Sequence, residues 1–564
     1  MSLRVGFVLL ALVAALAALS PWLGVPVPGT YLGRDADFAL MALQMLSAAW
    51  AEGVFWPRWL MDTNYGLGGT TYYSYPPLAH WVAAALAWVT GLGPAPALGL
   101  AIGLWRLLAV GTAFLWLRRH VPAGPALAGA AFASLLPYGA LVDPWMRFAY
   151  GETAAIALLP LLLLALDRVA SARRAEGLAG AALAYAALAV TNLPVCVLAA
   201  HLGPLYAWGL GGRRGAARCL LAGGIGAALA AAFLLPAVGL LGHANAASLF
   251  NDSWTENLLL FSPLNGKLVV IWAATLLASG LGLGLLRDAA PWPRLRASGL
   301  PRALAVLLLG SLALTCVLSL PLWLTLPQLT AVEHPWRSNA LLGTAVAGIA
   351  ALACAARPRP RGLLAAGIGL ALLPPAFLAG VVALGHPAWP KFLPAGQRMD
   401  FARGYSGSYS WEHVPAEAAA AGWVAITAGH PDPWPRPTLP SGAERIPGGF
   451  RIPQAVAPLV LPQFYFPAFQ AWDSLGPLPL RPTLEGFLEL APDRPVANIT
   501  VQVMPTAWER AGWAVSAVTA FGLLLLRLPR LRLSKARPVA SRPATPELRP
   551  GTALPGGTAA RERV

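Results

Sequence analysis

The chain is short of charge: 11% of its 564 positions are Asp, Glu, Lys or Arg, where a soluble globular chain carries about a quarter. Together with a hydrophobic share of 57%, this excludes a single water-soluble globule and a disordered chain alike. Acid is the scarcer sign, with 24 Asp plus Glu against 40 Lys plus Arg and a net charge of +16. Lysine is almost missing; only Lys267, Lys391 and Lys535 occur, and with the excess of Ala, Gly and Pro this is the composition of a GC-rich bacterial genome. Cysteine is sparse too, and Cys196, Cys219, Cys316 and Cys354 all fall in apolar runs without paired spacing. That pattern argues against disulfides and against a zinc site. No GxxxxGKS, HExxH or GxSxG occurs, so ATP-driven chemistry and the common hydrolase motifs lack support. The basic residues form short clusters between apolar runs instead of one basic face, which argues against a nucleic-acid partner and for topology signals.

Long apolar runs are what the chain has in quantity. They lie at 3–23, 97–117, 122–141, 152–170, 177–191, 193–211, 217–241, 267–286, 303–325, 338–356, 361–384 and 510–527, most of them near the roughly 20 residues a membrane-crossing helix needs. This predicts an α-helical polytopic membrane protein with about 12 transmembrane helices. The first run reads as a signal anchor. Residues 76–92 are a further apolar stretch, and counting them as a span inverts the sidedness of everything that follows. Left out, the inside loops hold sixteen arginines, among them Arg118, Arg119, Arg213, Arg214, Arg287 and Arg357, against five basic residues at the outside loops, Arg34, Arg58, Arg147, Lys267 and Arg337. The positive-inside rule therefore places 76–92 as a helix at the outer surface, with Trp81 and Trp88 at the interface. Both termini are then cytoplasmic, and the segments 24–96, 142–152 and 326–337 are outer loops.

Two polar regions remain. Residues 385–509 alternate apolar and polar positions over short stretches bounded by Pro and Gly, the pattern of a small β-rich extracytoplasmic domain. The Pro-, Arg- and Ala-rich tail, 528–564, reads as disordered on the cytoplasmic side.

The polar candidates gather in the outer loops. The first loop offers Asp35, Asp37, Glu52 and Asp62 among aromatics, with Asn64 and Tyr65 beside Asp62. A carboxylate at the membrane surface can deprotonate an acceptor hydroxyl or hold a divalent cation. Asp35 reads as that group, and as the metal ligand if there is one; Asp37 reads first as the N-cap of a helix starting near Phe38, with a catalytic role as its second reading. The second loop places Asp143, Arg147 and Glu152 at the mouth of a span, either as site residues or as a structural ion pair. The third contributes Glu333, His334, Trp336 and Arg337. Arg147 and Arg337 converging on one cavity would suit a phosphate, which guanidinium forks bind in bidentate fashion; Arg337 as a plain interfacial anchor is the simpler alternative. Asn192 is polar between two apolar runs, as a hairpin would also have it. Arg106 and His201 are ionisable residues inside apolar runs, a functional hypothesis by default or a local pair.

In order along the chain, GRDADF (33–38), FWPRWLMDTNYGLG (55–68), YSYPPL (73–78), MRFAYGE (146–152), TNLP (191–194), HPWR (334–337) and FYFPAFQAWDSLG (464–476) resemble a family of bacterial membrane proteins of the GT-C glycosyltransferase type, the 6-pyruvoyl-tetrahydropterin synthase-related membrane proteins. The resemblance implies a GT-C-like fold and transfer of a sugar from a polyprenyl-phosphate carrier on the outer side of the membrane. It further implies that Asp35 is the base or metal ligand, that Arg147 and Arg337, with His334, hold the carrier's phosphate, and that Glu152 orients one of them. The chain departs from many relatives in carrying Ala39 and Asn192 where they carry His, which leaves a divalent cation such as Mg or Mn an open question. The expected function is an integral membrane glycosyltransferase of the bacterial cytoplasmic membrane, with membrane lipids and a polyprenyl-phosphate donor as partners, an acceptor that is a glycan, lipid or protein, and no nucleic acid. The alternative is a non-catalytic GT-C-fold scaffold or a lipid or glycan transporter in envelope polysaccharide assembly. Transporters concentrate polar groups near the membrane midplane, whereas these lie at the outer loops.

Overall fold

The computed structural model describes residues 2–19, 35–171, 177–249, 252–260, 266–289, 299–357, 360–384, 411–423, 435–455 and 457–527. Residues Met1–Phe521 form one compact unit, and Gly522–Val564 a second, whose described part is the end of one helix. The expected disordered tail, 528–564, lies outside the described residues, as do 385–410 and 424–434.

The chain is a multi-pass membrane protein. Its main helices are α1 (Ser2–Leu19), α2 (Ala36–Ala51), α3 (Leu78–Thr90), α4 (Pro94–Leu117), α5 (Ala123–Ala133), α6 (Tyr150–Ser171), α7 (Leu178–Ala189), α8 (Leu193–Leu229), α9 (Ala231–Gly239), α10 (Gly266–Ala289), α11 (Leu300–Thr315), α12 (Asn339–Ala356), α13 (Arg361–Leu384) and α14 (Ala507–Arg527). All twelve apolar runs are helical for most of their length. Among the described residues, seven helical stretches are long and apolar enough to cross a membrane: Ser2–Leu19, Pro94–Leu117, Ala123–Arg147, Tyr150–Ala170, Leu193–Leu229, Leu268–Ala289 and Pro335–Ala356. The runs 193–211 and 217–241 meet in α8, which Gly212 interrupts with φ 63° and ψ −155°. The run 303–325 is not one helix. Cys316 turns extended (φ −101°, ψ 154°), and Pro321 four residues beyond Val317 could not donate to the Val317 carbonyl in a continuing helix. The freed groups pair with a crossing strand instead, Leu259 N–H donating to Thr315 O at 2.7 Å and Val317 N–H to Leu259 O at 3.0 Å. α3, the expected surface helix, is 13 residues long and ends in a left-handed Gly91, below spanning length.

Small residues let helices approach closely, as in membrane packing generally. A Cβ on Gly129 would stand 2.6 Å from Ala347 O on α12, and one on Gly209 would stand 2.5 Å from Ala303 Cα on α11. At two of the prolines inside helices an arginine donates to the carbonyl four residues back. The donor that a regular helix would offer to Ala140 O is residue 144, a proline; Arg106 Nη2 donates there at 2.7 Å. The donor for Ala232 O would be residue 236, again a proline, and Arg58 Nη1 donates at 3.1 Å.

The C-terminal region forms two antiparallel sheets. One has the order β1 (Glu444–Ile446), β2 (Gly449–Ala455), β8 (Val496–Val503), β4 (Phe469–Asp473), β5 (Gly476–Leu478), and the other β3 (Leu459–Phe464), β7 (Phe487–Leu490), β6 (Leu480–Pro482). Ile452 lies opposite Ile499, and Phe450 opposite Val501, so the alternation read from the sequence buries one face. That core includes the first loop: Trp59, Met61, Leu67 and Tyr73 pack with Phe464, Phe466 and Phe469. Trp59 Nε1 donates to Gln463 Oε1 at 2.9 Å, and Gln463 Nε2 to Met61 O at 3.0 Å.

Candidate functional site

The chemistry concentrates where the second and third polar loops meet the start of α2. Pro144 and the wide π-helical turn over Tyr138–Arg147 end in Phe148, whose left-handed backbone (φ 58°) reverses the chain into α6. This reversal sets Arg147 and Glu152 face to face. Arg147 Nη1 donates to Asp143 Oδ1 at 3.0 Å, to Glu152 Oε2 at 2.9 Å and to Tyr138 Oη at 3.2 Å. Tyr138 Oη in turn donates to Glu152 Oε1 at 2.5 Å. Burial of Asp143 and Glu152 (0% and 1% exposed) makes these pairs obligatory, because an unpaired charge there costs several kcal/mol.

Arg337 joins the cluster from the far end of the chain. Its Nε lies 3.5 Å from Glu152 Oε2 and its Nη1 3.6 Å from Glu333 Oε2, while Nη1 also donates to Val332 O at 2.6 Å. Glu333 holds a left-handed backbone, φ 68°, and its carboxylate stands 3.9 Å from His334 Nε2. His334 stacks on Trp336 at 4.3 Å, and the Trp336 ring lies 6.0 Å from the Arg147 guanidinium. Arg337 keeps 15% of its side chain exposed, against 9% for Arg147. Arg147 is the internally committed arginine and Arg337 the one with an open edge.

Asp35 is bound to this cluster through its backbone, its N–H donating to Arg147 O at 2.9 Å. It occupies the N-cap of α2 without a side-chain cap bond. The cap expected of Asp37 therefore falls two residues earlier, because the helix begins at Ala36; the Asp37 side chain lies outside the described set. Next to Asp35 stands an aromatic box. Phe38 contacts Tyr75 (4.9 Å between centroids) and His80 (6.1 Å), and stacks on His413 (5.3 Å, 28°). His413 comes from the segment after α13: its carbonyl accepts from Thr70 N–H at 2.9 Å and Thr70 Oγ1 at 3.1 Å, and its Nδ1 pairs with Ser74 Oγ at 3.1 Å. Burial pushes the His413 imidazole down to about 4, so the ring is neutral. Tyr75 holds its proton more tightly than a free phenol, through burial first and then the Asp35 carboxylate, with Arg337, Glu412 and Arg147 also in electrostatic reach.

Other expected site residues are employed elsewhere. Asp62 pairs with Arg445 of β1 at 2.5 Å. Asn64 and Tyr65 form a left-handed turn, φ 53° and 62°, in which Asn64 Nδ2 donates to Gly68 O at 2.8 Å and Tyr65 lies 4.4 Å from the Arg436 guanidinium. All three serve the junction with the sheets, because their loop packs into that core. Asn192 is the N-cap of α8, its Oδ1 accepting from Val195 N–H at 3.0 Å. Arg106 is a local pair, through the Ala140 carbonyl described above. Sequence reading passes over Tyr75, Tyr138, Glu412 and His413; the YSYPPL motif holds Tyr75, but nothing local marks residues 412 and 413. Among the described residues no three of His, Cys, Asp and Glu converge to hold a metal ion.

No protein-family model matches the chain, and no curated protein matches it. Solved structures do resemble it. The mycobacterial arabinofuranosyltransferase AftD is 19% identical, with a TM-score of 0.44 over 76% of this chain and 29% of that one. ArnT from Cupriavidus metallidurans, bound to undecaprenyl phosphate, is 14% identical, with a TM-score of 0.28 over 66% of this chain and 79% of that one. The oligosaccharyltransferase AglB from Archaeoglobus fulgidus, in complex with an inhibitory peptide and a dolichol-phosphate, is 14% identical, with a TM-score of 0.29 over 76% and 58%. The chain thus spans less than a third of AftD.

Proposed function

We propose that this chain is an integral membrane glycosyltransferase that takes a sugar from a polyprenyl-phosphate donor and transfers it on the extracytoplasmic side of a bacterial cytoplasmic membrane. One observation carries the reading: Asp35 is hydrogen-bonded through its backbone to Arg147, at the edge of a buried acid–guanidinium cluster whose Arg337 keeps an open side. A general base and a cationic phosphate site are the two parts that inverting transfer requires. In that reaction Asp35 takes the proton of an acceptor hydroxyl, the acceptor oxygen bonds to the anomeric carbon, and the bond from that carbon to the phosphate oxygen breaks. The electron pair leaves on the polyprenyl phosphate, which Arg337 meets. Arg147, with Asp143 and Glu152 already on its guanidinium, holds the frame and orients Arg337 through the shared Glu152.

A non-catalytic scaffold or lipid transporter is the second reading. It is favoured by the charge count of the cluster, in which three carboxylates, Asp143, Glu152 and Glu333, outnumber two guanidiniums. Transfer from radiolabelled polyprenyl-phosphate sugars by the purified chain in lipid separates the two, run for wild type and Asp35→Asn with and without a chelator. The enzyme reading expects label transfer in wild type and a loss of roughly 10²–10⁴-fold in the variant. Equal folding of both proteins with no transfer from any donor would leave the scaffold.

A further inference from the structure

Between Tyr75 and Asn192 the chain leaves a narrow notch that a Cβ would enter only if its neighbours gave way. Gly151 sits in the first turn of α6, next to Glu152. A Cβ at that position would lie 3.4 Å from Tyr75 Oη, 3.5 Å from Asn192 Nδ2 and 3.1 Å from Thr191 O. The notch is thus edged by two hydrogen-bond donors. Asn192 has its Oδ1 committed to the α8 cap, which turns its amide N–H₂ away from that bond. Tyr75 is fixed by its ring neighbours, Phe38 at 4.9 Å, His80 at 5.5 Å and His413 at 6.2 Å, while its hydroxyl makes no hydrogen bond among the described residues. A hydroxyl with no hydrogen bond among the described residues and an amide held by its other end are a preorganised donor pair. The Arg337 and Arg147 charges act on the same phenol, against the Asp35 and Glu412 carboxylates, and the N-terminus of the 22-residue α6 adds the positive end of its dipole.

We propose that Tyr75 and Asn192, with the bare Cα of Gly151 between them, form an oxyanion notch that takes a non-bridging oxygen of the donor lipid's phosphate. This rests on the glycosyltransferase reading for its substrate. A phosphate is the fitting occupant because two of the three atoms edging the notch are hydrogen-bond donors and two guanidiniums, Arg147 and Arg337, lie in electrostatic reach of Tyr75 beside the Asp35 and Glu412 carboxylates. The notch makes and breaks no covalent bond. It places the phosphate beside Arg337 and lowers the cost of charge that develops on it as the sugar departs. Tyr75 and Asn192 would both touch substrate, whereas His413 acts through the Tyr75 ring and is a positioning residue.

The test uses the full chain in lipid nanodiscs and two probes, undecaprenyl monophosphate and undecaprenol, whose binding is followed by quenching of intrinsic Trp fluorescence. Tyr75→Phe keeps the ring contacts and removes the hydroxyl. Asn192→Asp keeps the cap acceptor and replaces the amide donors with a negative charge. The expected result is about tenfold weaker binding of the phosphate in each variant, with undecaprenol binding unchanged, since a hydrogen bond to a charged group is worth roughly that factor or more. Gly151→Ala, which fills the notch, should weaken phosphate binding similarly. Equal loss for phosphate and alcohol would mean a packing role, and unchanged phosphate binding in Tyr75→Phe would mean that the notch is not used; either outcome overturns the proposal. Because the readout is binding, it stands apart from transfer: a wild type that transfers no sugar while the phosphate preference still depends on Tyr75 would defeat the enzyme reading and leave the notch.

Discussion

Two buried carboxylate clusters sit at different places in the bundle, and they are finished to different degrees. Asp167, near the end of α6, has both oxygens taken, Oδ1 by Tyr206 Oη at 2.7 Å and Oδ2 by His120 Nε2 at 2.6 Å. The cluster around Arg147 is larger and less complete. Asp143 Oδ2 is buried without a hydrogen-bond partner among the described residues, and Arg337 approaches Glu152 and Glu333 only at 3.5 and 3.6 Å. A satisfied network holds structure together, whereas a buried network with spare donors and acceptors is costly unless something else completes it. The contrast separates a fastening from a candidate site, and substitutions can break it.

The largest effect is expected at Glu152, whose carboxylate serves Tyr138, Arg147 and Arg337 at once. Glu152→Gln should lower stability by about 3–5 kcal/mol, the cost of leaving a buried charge without its partner, and should abolish phosphate-selective lipid binding. Asp167→Asn should lower stability by about 1–3 kcal/mol and leave that binding intact. Unfolding midpoints in detergent and the two-probe binding assay read both quantities, and equal loss of binding in the two variants would erase the distinction.

The arginine repairs offer a cleaner double test. Arg106→Met should cost about 1–3 kcal/mol by stripping the Ala140 carbonyl of its donor. Adding Pro144→Ala restores a backbone N–H four residues on, so the double variant should recover part of that loss. A cycle with no coupling energy would show that the arginine matters for something other than the proline gap.

A further effect concerns pH. His413 is pushed down to about 4 when folded, from an unfolded value near 6.5. Between those values the unfolded chain binds the extra proton and the folded chain does not, so stability rises with pH across that window. The contribution is complete above about pH 6.5 and lost as pH falls toward 4. His413→Phe should flatten the acid limb of a stability profile over this range.

How far the sequence could be read follows from the distance over which each feature is built. Apolar runs announce themselves locally, and all twelve are helical for most of their length; Arg147 and Glu152 are five apart, so their spacing alone leaves the pairing open, and the turn at Phe148 makes it. The alternation in FRIPQA and NITVQV likewise marked β2 and β8. What the sequence concealed was made by long-range contact. His413 meets Ser74 from 339 positions away, and Arg445 meets Asp62 from 383, with no periodicity to betray either. Asp62, Asn64 and Tyr65 looked like site residues because they are polar and near Asp35 in sequence, yet their loop turns toward Phe464 and Phe466 because burying Trp59 and Met61 outweighs keeping it over the bundle.

Arg106 also carries a mechanical consequence. A proline break ordinarily leaves a helix free to flex at the gap, since one rung of the ladder is missing. Here the missing rung is supplied from a neighbouring helix, so the segment bearing Asp143 and Arg147 cannot swing without dragging α4 along or surrendering the bond to Ala140. The break is thereby turned from a joint into a rivet, and the aim of the Arg147 side chain is set in part by a residue deep inside a helix that contributes nothing to the chemistry itself.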